Sequence, residues 1–307
     1  MAAVDLGSNS FRLLICQAFI TPSGMQLRTI DTLREPVRLA AGLTPAKILD
    51  DAAFERGLDA IRRFGERLRG FSPGQVRAVA TNTLRVARNA QKFVQQAQIA
   101  LGFPIEVIAG VEEARLIYIG TSHEAPAVSG NRLVIDVGGG SSEFIIGKGY
   151  EPKLLESLYI GCVSHSIRFF PNGVIDPHAS KEAELAARRE VQVIKRRFSK
   201  SGWNQVIGSS GTARALADLI ADNKLNGSHE KTTLDSFDKV GASVITLHGL
   251  KGLKRRILNF DHIDRVNLIN LKDDRRPVLP GGLSIMLGIF DELGRSEEHT
   301  SELRHRT

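Results

Sequence analysis

Cysteine is scarce: the 307 residues hold two, Cys16 and Cys162, each inside an apolar segment. Two thiols cannot make a zinc site alone, so both read as buried thiols. Long apolar runs are missing too, and none approaches the ~20 residues that a membrane-spanning helix needs. The opening Met1-Ala2-Ala3-Val4-Asp5 goes straight into a strand-like stretch, without the basic segment and apolar core of a signal peptide. Together these absences point to the cytoplasm and exclude a membrane role. Aromatic residues are only 6%. No basic stripe interleaved with aromatics occurs, which argues against nucleic acid. Also absent are a Walker A loop, a Gly-x-Ser-x-Gly elbow and any metal-ligand spacing among the histidines. His165 and His178 therefore read as structural or exposed.

What is present is a soluble globular composition, 42% apolar and 24% charged. The length suits two domains of roughly 120 to 180 residues each. Basic residues outnumber acidic ones, 41 to 34, a net charge of +7 that suits a polyanionic partner. The cluster Lys195-Arg196-Arg197 falls on an amphipathic helix and reads as a solvated face.

Strands are expected at Val4 to Leu6, Leu13 to Ala18 and Gln26 to Leu33, then a helix capped by Asp50 that carries Phe54, Leu58, Ile61 and Leu68 on one face. A buried strand, Val76 to Ala80, ends at Thr81-Asn82-Thr83 and leads into one helix through about Leu101. Ile105 to Ile108 is a strand, and Gly110 opens the helix that holds Glu112 and Glu113. The polar stretch 124–131 marks a domain boundary, giving domains 1–125 and 126–294. After it the opening pattern returns. Val4-Asp5-Leu6-Gly7-Ser8-Asn9-Ser10 is echoed by Ile135-Asp136-Val137-Gly138-Gly139-Gly140-Ser141-Ser142: a strand with an acidic residue at its end, a Gly/Ser turn, and a second strand. A period near 130 residues is too long for a solenoid and suits a duplicated domain. A helix over 178–199, a strand at Gln205 to Ile207, a Gly208-Ser209-Ser210-Gly211-Thr212 turn into a helix, and an apolar helix from Pro280 to about Leu293 complete the pattern. That last helix presents Leu283, Ile285, Leu287 and Ile289, to pack internally or against a further domain. Residues 295–307 lack apolar periodicity and read as a non-native tail, which leaves open a natural chain that continues past Gly294.

The turns carry the chemistry. Gly and Ser in a tight strand-to-strand turn let backbone N–H groups converge on one anion. A carboxylate beside such a turn, Asp5 or Asp136, repels phosphate unless a divalent cation lies between them. Mg²⁺ is the natural candidate, since it takes one or two carboxylates plus phosphate oxygens. A single Asp-x-Gly-Ser turn is as well explained as a plain hairpin; two in one chain are not. Glu112 and Glu113 open a helix, where its dipole alone favours carboxylates; over a bound phosphate either can also orient or deprotonate a water. Arg85 can fork onto phosphate or lie on the surface. The Gly208 to Thr212 turn reads equally as an anion-facing loop or a helix start.

Five stretches, in order, resemble the exopolyphosphatase / guanosine pentaphosphate phosphatase family: Ala3 to Phe11, Ala80 to Arg85, Gly110 to Arg115, Val134 to Glu143 and Gly208 to Thr212. The resemblance implies an α/β fold with two ribonuclease-H-like domains, of the actin, sugar-kinase and heat-shock-chaperone ATPase superfold, around a central cleft. It implies Mg²⁺-dependent release of terminal phosphate from inorganic polyphosphate, with guanosine pentaphosphate as the other substrate and a non-catalytic polyphosphate or alarmone sensor, or a kinase, as other classes. By position, it makes Glu113 the base, with Glu112 the weaker candidate, and Asp136 its partner in holding water or metal. Asp5 and Glu143 become metal-proximal carboxylates beside Asp136. Gly7, Ser8, Asn9, Ser10, Thr81, Arg85, Gly138, Gly139, Gly140, Ser141, Ser142, Gly208, Ser210 and Gly211 become phosphate ligands. A further C-terminal domain in longer relatives contributes to dimerisation, which leaves a homodimer open for this chain.

Overall fold

A computed structural model describes residues 1–21, 24–226, 244–294 and 303–304. Its contacts divide the chain into Met1–Ala109 and Gly110–Thr307. The first unit is one sheet with helices. Strands β1 (Ala2–Leu6), β2 (Phe11–Thr21) and β3 (Gly24–Glu35) form an antiparallel meander, while β4 (Val76–Ala80) and β5 (Ile105–Val107) add parallel beside β1, in the order β3-β2-β1-β4-β5. Strand β1 alternates as its residues dictate: Ala2, Val4 and Leu6 are buried and Asp5 faces out. Helix α1 (Asp51–Arg67) lays Phe54, Leu58, Ile61 and Phe64 onto the same core. Asp50 is its N-cap, accepting from the Ala53 amide at 2.7 Å.

One expected helix is two. Helix α2 (Asn82–Val86) stops at Ala87, which is extended, and α3 (Ala90–Leu101) starts after Asn89. The break comes from Asn89, whose side-chain amide donates to the Leu49 carbonyl and accepts from the Leu49 N–H, both at 2.9 Å. A side chain that mimics a strand partner is invisible to helical periodicity.

The second unit repeats the plan. Strands β6 (Arg132–Val137), β7 (Ser142–Lys148) and β8 (Glu151–Leu158) form the meander, and β9 (Gln205–Gly208) runs parallel to β6. Two-residue strands β10 (Val244–Ile245) and β11 (Leu303–Arg304) complete the order β10-β11-β9-β6-β7-β8. Each unit is thus the ribonuclease-H-like sheet that the resemblance implied. The tail expected to be non-native lies outside the described residues except for β11, which pairs with β9. Strand β8, with Pro152 inside it, lies at the sheet edge, where proline is tolerated, and its polar sequence gives no strand signal.

The division falls earlier than the expected 125/126 boundary. Helix α4 (Gly110–Glu124) buries Ala114 and Tyr118 with Val134 and Ile145 of the second sheet. The Tyr118 hydroxyl donates to the Gly149 carbonyl at 3.1 Å. The polar stretch after it is only the link from α4 to β6. Helices α5 (Cys162–Phe169), α6 (Pro177–Ser201), α7 (Gly211–Asp222), α8 (Leu247–Ile257) and α9 (Leu279–Leu293) cover this sheet. In α9, Leu283, Ile285, Leu287 and Ile289 are all buried within the unit. Its buried Glu292 receives Arg188 at 2.9 Å and Lys195 at 3.0 Å. Lys195 and Arg197 of the basic cluster therefore hold ion pairs, the latter with Glu156. Both cysteines are buried, as is His165, which bonds the Ala183 carbonyl at 2.8 Å. No helix among the described residues is long and apolar enough to cross a membrane. Asp50→Ala removes one cap from α1 and should lower unfolding free energy by about 1 kcal/mol in urea titrations.

Candidate active site

The turn after β6 is shaped by what captures its carbonyls. The Gly138 carbonyl accepts from the Cys162 amide at 2.9 Å, and the Gly139 carbonyl from Val163 at 3.0 Å and Ser164 at 3.2 Å. The first amides of α5 are thereby satisfied by the turn rather than by a side-chain cap. In a trans peptide each N–H points opposite the preceding C=O. The amides of Gly139 and Gly140 therefore point away from α5. Gly161 is required for this seating, because a Cβ there would lie 2.3 Å from Gly139 C and Gly140 N.

The turn after β1 has the same construction from different parts. The Ser8 and Asn9 carbonyls accept from Ala40 at 2.9 Å and Arg38 at 2.8 Å. The amides of Asn9 and Ser10 point the other way, by the same argument. The opening glycines match: a Cβ on Gly7 would come 3.0 Å from the Ser10 carbonyl, and one on Gly138 would come 3.0 Å from the Ser141 carbonyl. The repeat seen in sequence extends to the opening glycine and to one captured carbonyl, Ser8 matching Gly139.

The carboxylates differ between the units. Asp5 stands opposite Arg12 in the β1–β2 register, a cation facing an anion. Asp136 stands opposite Glu143 in the β6–β7 register, and like charges directly opposite are unfavourable. Glu143 is 1% exposed. Desolvation, then the charges of Glu113 and Asp136, push its carboxyl well above the usual glutamate range, against hydrogen bonds from Ser141 and Ser157. The Ser157 hydroxyl donates to Glu143 Oε1 at 2.8 Å. Asp136 Oδ2 accepts from the Ser209 hydroxyl at 2.6 Å. Among the described residues no group of three His, Cys, Asp or Glu side chains could hold a metal ion. Mg²⁺ takes one or two carboxylates with phosphate oxygens and water, and the opposed pair Asp136–Glu143 fits that smaller demand.

The two neighbouring glutamates at the start of α4 separate here. Glu112 is bound at both oxygens by Arg115, Nε at 2.7 Å and Nη2 at 2.8 Å. Glu113 instead acts electrostatically on Glu143. Glu113, Asp136 and Glu143 thus form one acidic group in the second unit, beside the turn that presents the Gly139 and Gly140 amides.

Other expected ligands make contacts within their own unit. Ser142 is fully buried and its hydroxyl donates to the Ile160 carbonyl at 2.7 Å. Ser210 caps α7, accepting from the Ala213 amide at 3.0 Å. The stretch from Gly208 to Gly211 therefore starts a helix, while Ser209 reaches Asp136 and Thr212 ties α7 to the Val137 carbonyl at 2.8 Å. In the first unit Ser8 is buried against Thr83, with 2.7 Å between their hydroxyls. Thr81 is buried at the end of β4. Arg85 donates Nη1 to the Ile108 carbonyl at 3.0 Å, and its guanidinium has further donors. Ser209, Ser157 and Thr83 were not singled out from the sequence. Ser157 lies on the strand that carries no pattern, and Ser209 lies in a turn of which only Gly208, Ser210 and Gly211 were read as ligands.

A family model described as the Ppx/GppA phosphatase family matches residues 20–306. Among solved structures, a Ppx/GppA family member from Aquifex aeolicus is similar, at 25% identity over 99% of this chain and 92% of its own, with a TM-score of 0.73. An exopolyphosphatase from Cytophaga hutchinsonii ATCC 33406 is similar in fold, at 22% identity over 100% of this chain and 93% of its own, with a TM-score of 0.81.

Glu143 sets a pH dependence. Its folded-state pKa is raised, so the folded protein holds a proton that the unfolded chain releases at the ordinary glutamate pKa. In metal-free protein, stability should fall as pH rises from the ordinary value, 4.5, to the raised one. Glu143→Gln should flatten that part of the curve in denaturant titrations run with chelator.

Proposed function

Because the chain belongs to the Ppx/GppA phosphatase family, we propose that it is an exopolyphosphatase, releasing terminal phosphate from inorganic polyphosphate by hydrolysis. The observation that carries the reading is the acidic group Glu113, Asp136 and Glu143 beside outward-pointing turn amides in a single unit. The amides suit phosphate oxygens, and a carboxylate at their edge suits a water attacking phosphorus.

Each residue has a role in this reading. The Gly139 and Gly140 amides and Ser141 bind the phosphate to be released. Glu113 accepts a proton from the water as its oxygen bonds to phosphorus. The bridging P–O bond breaks, and its electron pair stays with the shortened chain. Asp136, held by Ser209, orients the water, and Ser157 holds Glu143. Mg²⁺, held by Asp136 and Glu143, would neutralise phosphate charge and weaken the bridging bond when bound. The turn of the first unit, with Thr81 and Arg85, is proposed as a second phosphate-binding element, and Asp5 as its acidic neighbour. The net charge of +7 supports a polyanionic substrate.

The test is phosphate release from long-chain polyphosphate, guanosine pentaphosphate and ATP, with and without Mg²⁺. Mg²⁺-dependent release from polyphosphate is expected. A preference for guanosine pentaphosphate would reassign the substrate within the same chemistry, and binding without release would make the protein a sensor. Glu113→Ala should lower the rate ~10²–10⁴-fold while leaving polyphosphate binding intact. Glu112→Ala should leave the rate within its order of magnitude, because Arg115 already occupies that carboxylate. Near-normal turnover by Glu113→Ala would refute the assignment of the base.

A further inference from the structure

At the end of α7 remote from the acidic group, the second unit carries a basic concavity. Helix α7 starts at the turn whose Ser209 bonds Asp136, and its 12 residues run about 18 Å. Beyond its last turn, Lys224, Asn226, His248, Arg255, Arg256 and Asn259 line a concavity of about 940 Å³. No carboxylate and no aromatic side chain is among its lining residues. Helix α8 supplies most of the charge, with Lys251, Lys254, Arg255 and Arg256 and no acidic residue. Three of these lie in its last turn, where the helix dipole alone favours cations. That dipole does not account for Lys224, which belongs to another element and lies in the left-handed region at φ 52°. The Lys224 amide donates to the Ala221 carbonyl at 3.0 Å, and the Leu225 amide to the Ile220 carbonyl at 2.9 Å. This is a helix ending in which glycine is the usual residue. A lysine held there against its backbone preference sets a cation at the concavity. Arg256 is held as well, donating Nη1 to Oδ1 of the buried Asn223 at 3.3 Å, and its guanidinium has further donors. Lys254, by contrast, pairs with Glu184 at 2.5 Å. The adjoining concavity that Lys251 and Lys254 line also carries Glu184 and Asp291, which disfavour an anion there.

We propose that this basic concavity anchors a stretch of a phosphate chain away from its reacting end. The inference rests on the proposed function for its substrate and adds a place, within the second unit, for the remainder of a long chain. Lys224, Arg255 and Arg256 offer cations from two elements to successive phosphates, and the side-chain amides of Asn226 and Asn259 add neutral donors. The lining selects this occupant over other polyanions. Single-stranded nucleic acid is held by stacking its bases on aromatic side chains, and none lines the concavity. A chain of bare phosphates needs only charge and hydrogen-bond donors. The concavity stands off from the acidic group by the length of α7, so a chain must be longer than about 18 Å to occupy both. Tripolyphosphate is shorter than that and occupies the reacting end alone.

The probes are long-chain polyphosphate, tripolyphosphate and single-stranded RNA. Lys224→Gly removes one cation and puts glycine where the backbone suits it, so the variant should melt no lower than the parent. Arg255→Ala removes a second cation at an exposed position. The two together should weaken binding of long-chain polyphosphate about tenfold and lower the slope of log K against log salt by about one per cation removed. A merely structural role would leave that slope unchanged. Where the parent releases phosphate, the double variant should raise KM for the long chain about tenfold, with kcat and the KM for tripolyphosphate unchanged. The inference is overturned by unchanged affinity and slope in the double variant, by an equal loss with tripolyphosphate, or by RNA that binds as tightly as polyphosphate through the same two residues. A parent that releases phosphate while the double variant binds long chains as the parent does refutes the anchor and leaves the activity standing. A parent that binds long chains through Lys224 and Arg255 but releases no phosphate refutes the activity and leaves the anchor standing.

Discussion

The capture of turn carbonyls by a following segment is the constraint on which the candidate site depends. A glycine turn left to itself samples many conformations, and its amides point nowhere in particular. Here the first amides of α5 bond the carbonyls of Gly138 and Gly139. Planarity of the peptide then does the rest, since the amides of Gly139 and Gly140 must point the other way. The same bonds satisfy a helix start that has no side-chain cap. One set of contacts therefore orders the turn, aims its donors and completes α5. In the first unit the start of a short 3₁₀ helix, Leu39–Gly42, makes the capture: Ala40 holds the Ser8 carbonyl, which matches Gly139, and Arg38 holds that of Asn9. The duplication retains a turn held by the start of a helix, 3₁₀ in one unit and α in the other.

Electrostatics distinguishes the two copies. Asp5 and Asp136 occupy matching places, each opposite the residue seven positions on in its hairpin. In the first unit that residue is Arg12, which offsets the aspartate. In the second it is Glu143, which adds to it, and Glu113 adds again. An acidic group of this kind in a buried setting disfavours its own ionisation. Such a group is relieved by a proton, by a cation, or by a reacting water that gives up its proton. The two units thus differ in the charge that surrounds the matching aspartates.

Much of this was legible in the sequence, because local chemistry and long-range structure agree there. The paired Asp-x-Gly turns, the Asp50 cap and the buried faces of α1 and α9 all follow from short-range patterns that the fold keeps. The misses share a cause, which is that a distant partner decides. Asn89 breaks a helix because Leu49, forty residues away, offers its backbone. The boundary moved because Tyr118 is buried with Val134 and Ile145, a tertiary preference absent from the polar stretch that follows it. Strand β8 is an edge strand that makes no demand for alternation, so Ser157, the hydroxyl that holds Glu143, could not be found by pattern.

Glu112 and Glu113 show how narrow the gap is between what spacing says and what a side chain does. Both sit in the first turn of α4, where the helix dipole favours either equally. Consecutive helical residues point about 100° apart, so only one of them can face a given neighbour. Arg115, three residues after Glu112, lies on that glutamate's side of the helix and takes both of its oxygens. This ion pair does more than occupy a carboxylate. It fixes which face of α4 is spent on local pairing, and Glu113 is left to act on Glu143 and the strands around it. The arginine that pairs with Glu112 is therefore part of what sets the two glutamates apart.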